Sequence, residues 1–136
     1  MDFLKSIASI AASGMRAQGE RLKVVSENVA NANSMSTEPG GDPYRRKTIS
    51  FAEAVDRASG SSMVAVAAVS RDMSEFELSY DPAHPAADEQ GFIKMTNVNP
   101  LLEMANMREA SRSYEANMNM FEAGRDMRNR MIDLLK

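Results

Sequence analysis

Residues 1–33 carry a sustained heptad pattern of apolar and small side chains. Because the pattern runs through the whole segment without a proline, it predicts one long helix, and the seven-residue spacing also indicates a coiled coil. One line of positions is Met1, Ala8, Met15, Leu22 and Val29, and the other is Leu4, Ala11, Gln18, Val25 and Ala32. Small side chains let a second helix approach closely but bury little area, so this helix needs partners on more than one side.

A second long helix is predicted over residues 99–136. Asn99 is placed to cap it, and Pro100 suits its first turn. The apolar or small positions form two sets, first Met104, Met107, Ser111, Tyr114, Met118 and Phe121, and then Gly124, Met127, Met131 and Leu134. The three-residue steps between the sets predict that the apolar face rotates around the helix there.

The segment between the two helices, residues 34–98, holds four of the five prolines. Residues 34–43 are predicted to form a loop, and alternating or β-branched patterns predict strands over 44–51, 63–69 and 92–98. Residues 51–58 also suit one or two turns of helix. The predicted fold class is therefore mainly α with a small β insert. Residues 1–33 and 99–136 form a terminal helical domain packed as a coiled coil, and residues 34–98 form a short β-rich middle region.

Composition limits the chemistry that this chain can carry. The 136 residues include no cysteine and one histidine, which excludes disulfides, thiolate catalysis and histidine-rich metal sites. The net charge of −3 gives no reason to expect nucleic acid as a partner. The longest apolar run, Met63 to Val69, is far shorter than the roughly 20 residues of a membrane span. Serines interrupt the apolar start of the chain, so we expect a retained helix and no cleaved leader.

No set of side chains has the spacing of a catalytic, cofactor-binding or metal site. His84 lies between two prolines and has no partner constellation, so we expect a loop residue bonded to the backbone. The acids nearby, Asp81, Asp88 and Glu89, lack the alternate-residue spacing of a calcium loop. We therefore expect neither an enzyme nor a bound cofactor.

Two polar groups are candidates for specific contacts. The basic triplet Arg45, Arg46 and Lys47 suits either contact with a neighbouring subunit or polyanion, or an exposed strand face whose charge discourages edge pairing. Asn28 and Asn31 share one helix face. Together with Asn33 they could cap the helix end, but the pattern suits a polar interface with defined register better.

Four segments of the sequence resemble a known protein family. SENVANANS at 26–34 is similar to the N-terminal signature of the axial flagellar proteins, and SRSYEANMNMFEAGRDM at 111–127 is similar to their C-terminal block. GGDPYRRK at 40–47 and YDPAHPAADEQGFIKMTNVNP at 80–100 resemble the FlgC-type proximal rod proteins of the bacterial flagellar basal body. Ser34 stands where that signature usually continues with threonine, which affects the loop that follows rather than the family.

The resemblance implies a structural subunit that is exported unfolded, without a cleaved signal, and polymerises in the periplasmic rod to transmit torque. The implied partners are further copies, FlgB-, FlgF- and FlgG-type rod proteins, a FliE-type adaptor and the flagellar export apparatus. The terminal helices would form the inner tube, and residues 34–98 would face outward. A soluble helical adaptor or export chaperone of the flagellar system is the alternative.

Assembly contacts are expected on both helices and on the insert. On the N-terminal helix we expect them at Leu4, Ala11, Met15, Leu22, Val25, Asn28, Val29, Asn31 and Ala32. On the C-terminal helix we expect them at Met104, Met107, Tyr114, Asn117, Met118, Phe121, Met127, Met131 and Leu134. Outer contacts are expected at Arg45, Arg46, Lys47, Asp81, His84, Asn97 and Asn99. Methionine suits such surfaces because its flexible side chain adapts to irregular neighbours.

Overall fold

The computed structural model describes residues 2–135, so Met1 and Lys136, the outer ends of the two predicted helical segments, lie outside the described residues. Two long helices enclose a small β region in the sequence, as predicted. The elements are α1 (Asp2–Ala30), β1 (Lys47–Val55), β2 (Ser62–Arg71), β3 (Leu78–Tyr80), β4 (Phe92–Lys94) and α2 (Pro100–Leu134).

Helix α1 ends at Ala30, a little before the predicted boundary. The side chain of Asn31 donates from Nδ2 to the Glu27 carbonyl at 2.8 Å, and the Ser34 amide donates to the Asn31 carbonyl at 3.0 Å. The Glu27 carbonyl also accepts the Asn31 amide at 3.1 Å, and the Ala32 amide then bonds to the Val29 carbonyl at 3.3 Å, so the chain leaves the helix through tighter three-residue turns. Capping is therefore the observed role of Asn31.

Helix α2 begins as predicted. The Asn99 side chain accepts hydrogen bonds from the backbone amides of Leu101 at 3.1 Å and Leu102 at 3.3 Å. Pro100 occupies the first helical position, where its missing N–H group costs no helical hydrogen bond. This cap fixes where α2 starts and therefore where Glu103 lies in its first turn.

The chain divides into two structural units. The first contains the described parts of Met1–Lys23, Ile49–Ala68 and Met107–Lys136. Within it α1 and α2 run antiparallel, because Arg21 pairs with Glu109 at 3.1 Å and Gly14 lies against Asn117 farther along. The hairpin of β1 and β2 is attached to α1 where the Val64 amide donates to Ser13 Oγ at 3.2 Å.

The close approach of the helices in this unit depends on small side chains. A Cβ atom built on Gly14 would lie 2.6 Å from the Asn117 Oδ1 atom. A Cβ atom on Gly124 would lie 3.3 Å from the Ile7 Cγ2 atom. The buried face of α2 therefore follows Ala110 and Gly124, and the larger methionines lie beside it.

The second unit contains Val24–Thr48 and Val69–Asn106. Strands β3 and β4 pair antiparallel, with Leu78 opposite Lys94 and Tyr80 opposite Phe92. The Tyr80 and Phe92 rings meet edge to face at 5.3 Å between centroids. Gly91 has a φ of 86° and leaves room for the Tyr80 ring, since a Cβ atom there would lie 2.8 Å from it.

The middle region differs from the prediction in three places. Residues 51–58 are not helical, because β1 continues to Val55 and a turn at 56–61 leads into β2. The strand predicted from residue 44 begins at Lys47, since the Arg46 amide bonds to the Asn97 side chain. The strand predicted over 92–98 ends at Lys94, after which Thr96 and Asn97 use their side chains to bond loop carbonyls.

Candidate functional site: the polar cluster and the exposed helix faces

Asn28 is the centre of a buried polar cluster in the second unit. Its side chain is completely buried and makes four hydrogen bonds. Nδ2 donates to the Lys47 carbonyl at 2.8 Å and to Glu103 Oε2 at 3.3 Å. Oδ1 accepts from the Lys47 amide and from the Tyr44 hydroxyl, each at 2.9 Å. One amide thus joins the end of α1 to the start of β1 and the first turn of α2.

Glu103 supplies the charge of this cluster. Its side chain is completely buried, and Arg46 Nε donates to Oε1. Arg46 also lies 3.5 Å from Asp72 through Nη1 and Oδ2. A buried carboxylate is tolerated only when it is paired and hydrogen-bonded, and Glu103 has both kinds of partner. Because its two oxygens are already occupied by protein donors, Glu103 is a structural group.

All three cations of the basic triplet have partners in their own chain. Arg45 donates to the carbonyls of Asp72 and Ser74, each at 3.0 Å, and its guanidinium lies 4.1 Å from the centre of the Phe76 ring. Lys47 pairs with Glu27. Contact with a neighbouring subunit stays a prediction for these residues, but the structure shows their intramolecular role.

The remaining expected outer contacts also lie in the second unit. His84 accepts the Ala86 amide on Nδ1 at 3.0 Å, which is the backbone bond expected for a loop histidine. Asn97 accepts from the Arg46 amide at 2.7 Å, and Asn99 caps α2. Asp81 has an exposed side chain.

The residues expected at the interface of the N-terminal helix are largely covered within one chain. Leu4, Ala11, Val25 and Ala32 are buried, as is Asn28. The others are half-buried, namely Met15, Leu22, Val29 and Asn31. The heptad line that contains Leu4, Ala11, Val25 and Ala32 therefore packs inside the chain, and the line that contains Met15, Leu22 and Val29 lies at its edge.

The residues expected at the interface of α2 are largely exposed. Met107, Asn117 and Phe121 are half-buried. The exposed ones are Met104, Tyr114, Met118, Met127, Met131 and Leu134, with exposed fractions from 37% at Tyr114 to 85% at Leu134. At about 100° per residue, Met104 and Met118 lie on one side of the buried face and Met127 and Met131 on the other. The structure thus has apolar surface on two sides of α2.

Sequence reasoning did not identify Glu103, Tyr44 or Asp72 as members of the cluster. One signal was available for Glu103, because it lies seven residues before Ala110 on the face that is buried against α1. An acid in line with small buried residues indicates a paired carboxylate. Tyr44 and Asp72 carry no comparable signal, since tertiary contacts alone bring them to Asn28 and Arg46.

Hydrogen bonding lowers the pKa values of two carboxyl groups in the second unit. The amide and hydroxyl of Ser74, followed by Arg46, hold the pKa of the Asp72 carboxyl below its ordinary value. Lys94 donates to Asp42 at 2.9 Å and lowers the pKa of Asp42 by this bond and by its charge. Over residues 2–135, no three acids or histidines are grouped so that they could hold a metal ion. No helix in that range is long and apolar enough to span a membrane.

Comparisons with known proteins agree with the signatures at the two ends of the chain. Residues 9–34 match the family model for "Flagella basal body rod protein". Residues 89–134 match the model for "Flagellar basal body rod FlgEFG protein C-terminal". Asn28 lies in the first match and Glu103 in the second, so the cluster joins the two matched segments.

Full-length relatives narrow the family. The chain is 50% identical over 136 residues to flagellar basal-body rod protein FlgC of Agrobacterium fabrum, covering 100% of this chain and 98% of the relative. It is 41% identical to FlgC of Salmonella typhimurium, covering 96% and 97%, and 37% identical to FlgC of Aquifex aeolicus, covering 100% and 99%. The chain therefore belongs to the FlgC family of flagellar basal-body rod proteins.

Proposed function

We propose that this protein is a structural subunit of the flagellar basal-body rod that polymerises helically through its terminal helices and transmits torque across the periplasm. The names of its full-length relatives support a location in the flagellar basal-body rod. The exposed apolar surface of α2 carries the proposal, because isolated soluble proteins rarely expose large contiguous apolar patches that have no partner.

The terminal segments, residues 1–33 and 99–136, are proposed as the inner tube domain, packed as an antiparallel coiled coil. Support comes from buried or half-buried positions seven residues apart on both helices, including Leu4 and Ala11 on α1 and Ala110, Asn117 and Gly124 on α2. Residues 34–98 are proposed to face outward.

The proposed transmission of torque depends on contacts that repeat from subunit to subunit. Heterologous contacts that do not close into a ring generate a helical filament, in which many subunit contacts share the load. The cluster around Asn28 and Glu103 supports this role, since a fully satisfied buried network rigidifies the segments that it joins. No step of this mechanism requires a cofactor or a catalytic residue.

The proposed partners are further copies of this chain, FlgB-, FlgF- and FlgG-type rod proteins and a FliE-type adaptor. The proposed route is the flagellar export apparatus. Methionines on two sides of α2 support contact with several different neighbours, because their side chains adapt to irregular surfaces.

The test compares two exposed methionines in cells that depend on the altered gene. Met127 is 54% exposed on α2, and Met73 is 76% exposed between β2 and β3. We expect Met127→Asp to abolish swimming and to remove the protein from purified basal bodies, because assembly would bury the new charge. Met73→Asp is the control and should leave both unchanged.

The soluble form of Met127→Asp should keep the circular dichroism of the unaltered protein, since the side chain is exposed. Presence of the unaltered protein in purified basal bodies supports a rod subunit. Its absence there, with normal expression, would favour the soluble adaptor or chaperone.

A further inference from the structure

A basic row lies along one side of α1 in the first unit. Lys5, Arg16 and Lys23 fall within about 20° of one another at 100° per residue, on the side of α1 away from the buried Ala11 and Gly14. All three side chains are exposed. Within the described residues none of the three forms an ion pair with its own chain.

An acidic row lies along one side of α2 in the same unit. Glu115, Glu122, Asp126 and Asp133 fall within about 40° of one another, on the side away from the buried Ala110. All four are exposed. Glu115, Glu122 and Asp126 form no ion pair within the part of the chain that the structure describes.

The two rows have matching spacing. Seven residues separate Arg16 from Lys23, as they separate Glu115 from Glu122. Eleven residues separate Lys5 from Arg16, as they separate Glu122 from Asp133. Since α1 and α2 are antiparallel within the unit, two copies of the same polarity place α1 of one antiparallel to α2 of the next. Lys23 then faces Glu115, Arg16 faces Glu122 and Lys5 faces Asp133.

The same register keeps like charges apart. It places the small residues Ser26 and Ala8 of one copy opposite Arg112 and Arg130 of the next. It also places Glu20 opposite Met118, an uncharged residue. This register brings together three pairs of opposite charges, and the neighbouring charges face neutral residues. Such electrostatic complementarity selects both the partner and the register.

We infer that copies of this chain dock side by side through two different faces, with the basic row of α1 on one copy against the acidic row of α2 on the next. The inference rests on the proposed function and specifies which faces of the rod subunits meet. Because both rows belong to one sequence, a second copy of this chain is the occupant that satisfies both at once.

The docking register also accounts for a helical polymer. Within one chain Gly14 lies against Asn117, so Arg16 lies near the level of Glu115. In the docked pair Arg16 faces Glu122, seven residues farther along α2. This shift is about 10.5 Å along the helix axis at 1.5 Å per residue. A heterologous contact with an axial shift does not close into a ring and therefore propagates as a helix.

Charge reversal tests the pairing. Exposed ion pairs contribute little affinity, so the rows are expected to act mainly through repulsion when one charge is reversed. We expect Arg16→Glu and Glu122→Arg each to abolish swimming and to deplete the protein from purified basal bodies, and the double variant to restore both. The matched controls are Arg57→Glu and Glu75→Arg, which reverse exposed charges outside the two rows and should leave both unchanged.

Crosslinking tests the contact directly. The chain has no cysteine, so Arg16→Cys combined with Glu122→Cys introduces the only thiols. After mild copper-catalysed oxidation of purified basal bodies we expect disulfide-linked dimers and a ladder of this protein. Arg57→Cys with Glu122→Cys is the control and should give none.

The outcomes distinguish the docking of copies from the proposed rod function. Failure of the double reversal to restore swimming, or a crosslink only to a different protein, overturns the docking inference while leaving the rod function intact. Absence of the unaltered protein from basal bodies overturns the proposed function and this inference with it.

Discussion

Replacing Asn28 with alanine should be the most costly of the asparagine substitutions in the N-terminal signature. The change removes four hydrogen bonds from a completely buried side chain. The amide and the carbonyl of Lys47 both lose their partner, and a buried unpaired polar group costs about 1–3 kcal/mol. Glu103 keeps Arg46, and the Tyr44 hydroxyl can turn toward water. We therefore expect the free energy of unfolding to fall by about 3–4 kcal/mol.

Two neighbouring asparagines supply matched controls. Asn31 donates to the Glu27 carbonyl at 2.8 Å and accepts from the Ser34 hydroxyl at 3.1 Å, both half-buried, so Asn31→Ala should cost about 1–2 kcal/mol. Asn33 is exposed, and Asn33→Ala should change stability by less than about 0.5 kcal/mol. The three substitutions remove the same amide group, so differences between them report its surroundings.

Urea unfolding followed by circular dichroism measures the series. At a denaturant slope near 2 kcal/mol per molar, a loss of 3–4 kcal/mol lowers the midpoint by roughly 1.5–2 M. Hydrogen exchange at the Lys47 amide provides a local measure, because this amide donates to Asn28 Oδ1. An Asn28→Ala midpoint equal to that of Asn33→Ala, with the Lys47 amide still protected, would refute the role assigned to the cluster.

The remaining predictions concern packing, pH and the loop histidine. Gly14→Leu should lower the free energy of unfolding by about 2–3 kcal/mol, because the new side chain overpacks the contact with Asn117. Gly19→Leu is the control and should not lower it, because no atom lies within 4 Å of a Cβ built there. Urea unfolding midpoints compare the two variants. The lowered pKa of Asp72 means that its contribution is present above the unfolded value near 3.9 and is lost as pH falls through the lower folded pKa. Asp72→Asn should therefore flatten the decline of stability in acid, measured by melting curves from pH 6 to pH 2 against the unaltered chain. His84→Ala removes one backbone bond and should cost about 1 kcal/mol without affecting swimming, and a non-swimming strain with normal protein levels would contradict this.

Local signals in the sequence predicted the helices well. The heptad lines of α1 and the cap and first-turn residues of α2, Asn99 and Pro100, act within one or two turns of the chain. Such short-range interactions are expressed in the sequence pattern itself. The exact end of α1 differed because the amides of Ala32 and Ser34 bond to the carbonyls of Val29 and Asn31, three residues back, which are turn bonds and not helical ones.

The strands were predicted less well for a physical reason. Whether residues 51–58 continue a strand depends on pairing between β1 and β2, and a short apolar run is compatible with either structure. The shift of β1 from residue 44 to Lys47 depends on Asn97, which bonds to the Arg46 amide from far along the chain. No local pattern contains that contact.

The sequence by itself determined the family, the two long helices and the lack of cysteine chemistry, because signatures, heptads and composition are properties of the chain. Only the tertiary structure decided which face of each helix is covered. Small residues such as Gly14 and Gly124 pack at the contact between α1 and α2, and this leaves the methionines of α2 exposed beside it. Tertiary structure also brought Glu103 and Arg46 to Asn28, since a buried charge requires partners that are distant in sequence.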